Sequence, residues 1–245
     1  MINMDWKSKR IADLGEVITG TTPPTKNPKY YGDKYPFITP SDMLESQRSI
    51  TTQRYLSEEG FRKFHSRALP KNSVCYTCIA SLGKMGITKE ISLTNQQINS
   101  IIVNEKHNPL FVYYLLMHNR KRINLRASGV AVPIINKSIF SSIKVKVPPK
   151  RNQTRITNIL SPLDDLIEVN LRRIKILEEI AKILYNEWFV HFRYPGHENA
   201  EIIQKPQGST PKGWNWSNLF DIADVTFGNA FKSKYFNKEF EGFTG

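Results

Sequence analysis

From Ile156 onward the chain sets Ile156, Leu160, Leu163, Ile167, Asn170, Ile174, Leu177, Ala181, Leu184, Trp188 and His191 at alternating steps of four and three. That is the heptad period, and over five repeats it demands a long amphipathic helix whose seam faces another helix. A rod seamed with Leu and Ile cannot stay bare in water; packing along its own domain is the plain alternative, but the length and the strict 3.5 period favour a partner helix in a coiled coil. Asn170, at a core position near the middle, fits a register device that favours one alignment of the pair. Ser161, Pro162 and Asp164 read as N-cap, first helical residue and an Asp form of the capping box. The main rod then starts at Ser161, with residues 151–160 as a preceding helical piece or a kinked continuation. Pro195-Gly196 stops it, and residues 161–193 span about 50 Å at 1.5 Å per residue.

Ahead of the rod, residues 1–150 mix short strand-like runs with brief helices and many turns, without the regular rhythm of a parallel sheet, which predicts an α+β globular domain with a mixed sheet. Asn108-Pro109 reads as N-cap and first residue of a helix through PLFVYYLLMHNR. Residues 142–147 (SIKVKV) alternate apolar residues with Lys, a strand with one wet face. Residues 21–36, with four prolines, read as a long surface loop. Residues 151–196 are the helix, and 197–210 are polar and aperiodic, a linker.

Beyond the linker the chain echoes its own beginning. Residues 6–20 (WKSKRIADLGEVITG) fall without a gap on residues 214–228 (WNWSNLFDIADVTFG), pairing Trp6 with Trp214, Asp13 with Asp221, Val17 with Val225 and Gly20 with Gly228. Residues 211–245 are thus expected to open a second, incomplete copy of the first domain, the mark of an architecture that uses one unit twice. A piece of that size cannot bury a core of its own.

The net charge of +13 is unevenly placed. Residues 1–150 carry 23 Lys and Arg against 10 Asp and Glu, residues 151–195 carry 7 against 6, and residues 196–245 carry 5 against 6. A basic domain beside a neutral rod suggests a polyanionic partner, with a merely soluble cationic surface as the plain alternative. No apolar run reaches membrane-spanning length and the N-terminus has no signal-peptide core, so the expected setting is cytoplasmic, with no membrane partner. Cys75 and Cys78 form a CxxC inside SVCYTCIA, an apolar run that reads as a buried strand, and no further ligands stand at zinc spacing.

No phosphate loop, dinucleotide fingerprint, HExxH or amino-methyltransferase motif is present, so the chain reads as a binder with no catalytic residues and no metal or cofactor of its own. Side chains suited to DNA are present. Thr21, Thr22, Lys26, Lys29, Tyr30, Tyr31 and Lys34 interleave hydroxyls, rings and charges in the Pro-rich segment. Ser81 and Lys84 sit in the glycine turn SLGKMG, Gln96 and Gln97 offer amides that pair with adenine, and Arg120, Arg122, Arg126 and Lys137 add cations. The two tyrosines have packing as their alternative, and the helix-end arginines can simply answer the helix dipole.

Taken in order, LGEVITGT, YYG with PFITPSDM, SLGKMGI, TNQQ, ASGVAVPIIN, VKVPP and QTRITNILSPLD resemble the specificity subunits of type I restriction-modification enzymes over the whole chain. Asn152, where members often have Glu, is a departure. The resemblance implies that residues 1–150 are a target recognition domain reading one half of a split double-stranded DNA site, and that 211–245 begin a second. It further implies a spacer helix that docks methyltransferase subunits and pairs antiparallel with a second copy or another specificity half. A restriction and translocation subunit joins through the complex, and S-adenosylmethionine, ATP and magnesium belong to the partners. Two identical halves related by a two-fold axis would read an interrupted palindrome with a gap of about one duplex turn, roughly 34 Å. The alternative from the residues is a DNA- or RNA-binding regulator, dimerised by its coiled coil and lacking any modification enzyme; a nuclease with an unrecognised motif is the remote third.

Overall fold

The structure, a computed structural model, describes residues 5–45, 47–128, 132–226 and 228. The chain divides into two compact units, Met1–Ile176 and Leu177–Gly245. In chain order the first contains β1 (Lys7–Arg10), β2 (Gly15–Thr19), β3 (Tyr31–Gly32), β4 (Tyr35–Ile38), β5 (Tyr55–Leu56), α1 (Glu58–Phe64), β6 (Val74–Thr77), β7 (Met85–Ile87), β8 (Leu93–Thr94), β9 (Ile98–Val103), α2 (Pro109–Asn124), α3 (Lys137–Ser142) and β10 (Lys144–Val147). It ends within α4 (Lys150–Tyr185). The fold is α+β, as expected.

The centre is an antiparallel sheet ordered β2, β9, β6, β7. Its strands are covered on both faces, so their side chains alternate between two cores. Val17, Val74, Tyr76 and Ile101 join a cluster with Val112, Leu116 and Ile123 of α2, Phe140 of α3 and Val145 and Val147 of β10. Ile18 and Cys75, one residue out of step, join Ile38, Met43, Ile50, Leu69 and Ile98 on the other side. Cys75 and Cys78 are buried free thiols; burial pushes their pKa values up to about 12 and about 11.

A smaller mixed sheet is ordered β3, β5, β4, β8, with β4 and β8 parallel. Here the expectation of a surface loop over 21–36 is corrected, since β3 and the start of β4 lie inside it and Pro36 is buried. The cause is aromatic packing. Tyr35 stacks on Phe61 at 3.9 Å and, with Tyr31, closes over Phe37, Leu56 and Leu93.

Two elements follow their sequence signals closely. Asn108 caps α2, accepting from the Leu110 and Phe111 amides at 2.9 and 3.2 Å. In β10 Val145 and Val147 are buried while Lys144 and Lys146 face water, and the strand pairs antiparallel with β1.

The long helix differs at both ends from its expected bounds. It begins at Lys150 and passes through Pro162, which stands inside the helix where the sequence placed a first residue. An interior proline costs about 3 kcal/mol, and here the first turns are anchored well upstream of it. Gln153, 1% exposed, accepts from the Asn108 amide at 2.9 Å and donates to the Pro148 carbonyl at 2.9 Å. Thr157, also buried, accepts from the Asn108 side chain at 3.4 Å.

In the second unit the α-helix gives way to a π-turn over Asn186–Val190, five residues short of Pro195. Arg193 folds back, its guanidinium on Glu187 at 2.5 and 2.7 Å, and Phe192 takes a positive φ of 55°. Phe189, Phe192 and Tyr194 gather around Trp214 with centroids 5.5 to 6.1 Å away. The stretch 197–210, read as linker, contributes to a short ribbon of β11 (Ile202–Ile203) and β12 (Thr210–Pro211). Among the described residues no helix is long and apolar enough to cross a membrane.

The sequence echo recurs as local geometry. Asp13 accepts the Arg10 amide at 2.8 Å to close the turn Ile11–Asp13, and Asp221 accepts the Asn218 amide at 3.1 Å to start α5 (Leu219–Ile222), with 218 − 10 = 221 − 13 = 208. Ile11 and Leu14 are buried, whereas their counterparts Leu219 and Ile222 are exposed. Of the echoed stretch Phe227, and beyond it residues 229–245, lie outside the described residues.

Candidate nucleic-acid interface

Antiparallel pairing brings the C-terminal ends of β2 and β6 and the N-terminal ends of β9 and β7 to one edge of the central sheet. Thr21 follows β2 there, its amide on the Thr94 carbonyl at 2.8 Å. Thr22, next along, donates its hydroxyl to the Gln96 side-chain oxygen. Gln97 is held by Asn95, whose amide nitrogen donates to Gln97 Oε1 at 3.0 Å and whose oxygen accepts the Gln97 backbone amide at 3.1 Å. The Gln97 carbonyl accepts the Cys78 amide at 2.7 Å, which ties the glutamine turn to the loop after β6. In that loop the Thr77 hydroxyl reaches the Ser81 carbonyl and accepts the Lys84 amide at 2.9 Å, holding Ser81 and Lys84 beside the turn.

Thr21, Thr22, Ser81, Lys84, Gln96 and Gln97 thus come from three separate sequence segments onto one sheet end. Three hydroxyl residues, two oriented amides and a cation share that surface, a donor and acceptor set suited to base edges and phosphates. Gly20 makes the approach possible: a Cβ there would lie 2.2 Å from the Asn95 carbonyl oxygen and 2.3 Å from that of Thr94. ASGVAVPIIN also reaches this edge, with the Ile135 amide on the Cys78 carbonyl at 2.9 Å, although residues 129–131 lie outside the described residues.

The other candidates divide. Tyr30 packs edge-on against Phe64 at 5.6 Å, and Tyr31 donates to the Pro23 carbonyl at 2.7 Å. Burial raises the Tyr31 pKa. Lys34 is paired with Glu58 at 2.6 Å, which raises the pKa of Lys34 and lowers that of Glu58. Lys26 and Lys29 are exposed. Arg120 lies under Gly83 of the glycine turn and is paired with Glu45 at 2.5 Å. Arg122, Arg126 and Lys137 are exposed, the first two beyond the sheet end on the flank of α2.

One residue at the sheet end carries no sequence signal. Exposed Arg67 reaches the Thr19 carbonyl with Nη1 at 2.6 Å, a placement set by the fold of the turn after α1.

The first half of α4 is clamped to this domain. Arg48, its side chain 12% exposed, donates to Asp165 at 2.5 Å and lies 3.7 Å from Asp164. Burial opposes the charge, but the bonds to Asp165 and Tyr114 outweigh it and raise the Arg48 pKa. Tyr114 donates to Asp164 at 2.5 Å, and burial together with that carboxylate raises its own pKa. Glu168 accepts the Arg48 and Ser49 amides at 3.0 and 3.1 Å.

Along the rod, Ile156 is half-buried and Leu160, Leu163, Ile167, Ile174, Leu177, Leu184 and Trp188 are exposed, Leu163 at 58% and Leu177 at 63%. Asn170, Ala181 and His191 are exposed too, and His191 falls past the π-turn. Ile159, Leu166, Val169, Ile176, Ile180 and Ile183 form a second exposed stripe. In heptad terms the two stripes together cover an arc of roughly 150°.

A family model described as the type I restriction modification DNA specificity domain matches residues 3–180. The chain is 31% identical over 232 residues to the type I restriction enzyme MjaIX specificity subunit of Methanocaldococcus jannaschii, a match covering 93% of this chain and 54% of that one. It is 36% identical over 148 residues to the HindI specificity subunit of Haemophilus influenzae, covering 59% of this chain and 32% of that one. Among solved structures, the type I restriction-modification S subunit from M. genitalium superposes with a TM-score of 0.62 at 16% identity, over 96% of this chain and 57% of that one. The HsdS subunit from Thermoanaerobacter tengcongensis gives 0.53 at 16% identity, over 69% and 39%. At that identity the structures speak for the fold alone. The chain spans about half the length of the curated relatives that it matches along nearly all of its own length.

Proposed function

The chain belongs to the type I restriction-modification DNA specificity family, and from that membership we propose that residues 1–150 grip one half of a split duplex target through the sheet end of Thr21, Thr22, Ser81, Lys84, Gln96 and Gln97. The observation that carries the proposal is the convergence of those residues: three separate segments supply oriented amides, hydroxyls and a lysine at one sheet end, with Thr22, Ser81 and Gln96 exposed and Thr21, Lys84 and Gln97 half-buried. Orientation by neighbours before binding reduces the ordering cost that flexible glutamines bring to an interface. The exposed cations of the domain add the sequence-independent attraction to phosphates.

The rod supports a second half of the reading. Its apolar arc is wider than one partner helix covers, which suits pairing with a second copy, or another specificity half, while methyltransferase subunits take the remaining stripe. Two rods joined antiparallel would carry their recognition domains at a fixed separation and read an interrupted palindrome. The chain itself performs no chemistry in this scheme. Methylation, and cleavage through a restriction subunit, belong to cytoplasmic partners that bring S-adenosylmethionine, ATP and magnesium.

Co-expression with the type I methyltransferase subunit of the same system tests it. The complex is expected to co-purify and to enrich one interrupted motif from a random duplex pool. A chain that enriches a motif with no methyltransferase bound points instead to a solitary regulator.

A further inference from the structure

Outside the sheet end, the flank formed by α2 and the β1–β10 ribbon concentrates positive charge that acidic side chains among the described residues answer only in part. In the ribbon Arg10 stands directly opposite Lys144, and Ser8 opposite Lys146, so Lys144 and Lys146 share one outward face with Arg10. Like charges opposed across strands destabilise the pair. Arg10 is relieved by Asp13 at 3.1 Å, but among the described residues no acidic side chain pairs with Lys144, Lys146, Arg122 or Arg126. Arg122 is drawn toward the ribbon, donating to the Lys144 carbonyl at 2.5 Å. It lines two concavities, one of about 540 Å³ with Arg126 and Lys144 and one of about 360 Å³ with His118 and Lys146. Neither is lined by an acidic residue.

The flank is continuous with the sheet end. Asn124, in the last turn of α2, accepts the Tyr76 hydroxyl at 2.6 Å and donates to the Leu82 carbonyl of the glycine turn at 3.4 Å. Arg122 and Arg126 bracket that residue, and Lys144 and Lys146 continue from Arg122 along the ribbon.

We propose that Arg126, Arg122, Lys144 and Lys146 form a phosphate track that holds the backbone of the same duplex beyond the bases read at the sheet end. The inference rests on the DNA-reading role above and adds to it a surface that contributes affinity without sequence information. Exposed guanidinium and ammonium groups without acidic partners suit phosphodiester oxygens, and base edges are left to the glutamine turn. Lysines on a short ribbon also discourage pairing with other chains, a role that involves no DNA.

The test uses the full chain, the double variant Lys144→Gln/Lys146→Gln and the charge-keeping Lys144→Arg/Lys146→Arg, each checked by thermal melting. Binding to a fluorescent random-sequence duplex pool is read by anisotropy across a KCl series. Each lost phosphate contact removes about 0.9 from the slope of log K against log salt, so the Gln variant is expected to lose about 1.8 and the Arg variant close to none. The motif enriched from the pool should be unchanged in both. An unaltered slope in the Gln variant overturns the track, and so does an altered motif, which would make these lysines base readers. Loss of methyltransferase co-purification with the slope intact also overturns it, in favour of an acidic protein face. If the unsubstituted chain binds no duplex at all, the reading of the domain falls and the track falls with it.

Discussion

Gln153 is the residue whose loss the structure penalises most legibly. Its buried amide makes three contacts with the domain: it accepts from the Asn108 amide at 2.9 Å, donates to the Pro148 carbonyl at 2.9 Å and meets His107 Nδ1 at 3.0 Å. Those contacts join the first turn of α4, the cap of α2 and the Pro148-Pro149 corner. Replacing Gln153 with Met keeps most of the volume and removes every polar contact. The Asn108 amide and the Pro148 carbonyl are then orphaned, and each unsatisfied buried group costs about 1 to 3 kcal/mol, so a loss of about 4 kcal/mol is expected. That is a large share of the 5 to 15 kcal/mol typical of whole domains, an order-of-magnitude comparison. Urea unfolding followed by far-ultraviolet circular dichroism reads the loss as a fall in the midpoint at constant slope. Exposed Arg155→Ala is the control and should stay within about 0.5 kcal/mol. A change below about 1 kcal/mol in Gln153→Met would refute the argument that this amide anchors the rod.

Other perturbations follow the same logic. Gly20→Ala places a methyl group 2.2 Å from the Asn95 carbonyl oxygen and should separate β2 from the glutamine turn, lowering duplex affinity at least tenfold, about 1.4 kcal/mol, in anisotropy titrations; unaltered affinity would remove the glutamine turn from the interface. Arg48→Met leaves the Asp164 carboxylate with Tyr114 alone and strips Asp165 and the loop of their tie, so hydrogen exchange in residues 159–172 should quicken by a factor of roughly ten to thirty, a local loss of about 2 kcal/mol after allowing for the exposure of Asp165; unchanged exchange would mean that Glu168 alone holds the helix. His107 is buried, its Nε2 without a partner, and burial followed by the charge of Lys9 lowers its pKa. With a lowered folded-state value, its stabilising contribution is complete above the ordinary histidine value of about 6.5 and is lost as pH falls through the lowered one. The urea midpoint should therefore drop between about pH 7.5 and about pH 5, and His107→Phe should flatten that drop; an equal drop in the variant would assign it to other groups.

How far the sequence foretold this fold depends on whether the decisive partner was near in the chain. The cap at Asn108 and the alternation of β10 were legible because cap and pleat act over a few residues. The heptad seam was legible as a pattern, but the helix start was not. Ser161-Pro162 carries the local signature of a beginning, while the real beginning is set by Gln153 and Thr157 bonding to Asn108, more than forty residues earlier. The strands within residues 21–36 were hidden for the same reason, since the prolines speak locally against them and the aromatic packing of Tyr35 on Phe61 decides otherwise. At the candidate site the residue types were readable one by one, and antiparallel pairing gathered six of them. Arg67 and Arg48 had no signal, because their roles are bonds to Thr19 and to Asp165, which sequence spacing cannot announce.

The central claim is that the sheet end of this domain chooses the DNA sequence to be modified. Mapping N6-methyladenine across the genome of cells that carry this chain with its methyltransferase tests it most directly, with Gln96→Ala/Gln97→Ala run in parallel. The account predicts one interrupted motif for the unsubstituted chain, with loss or relaxation of defined base positions in the variant and no change in the gap between the half-sites. Methylation at the same motif with the same stringency in the variant would contradict it.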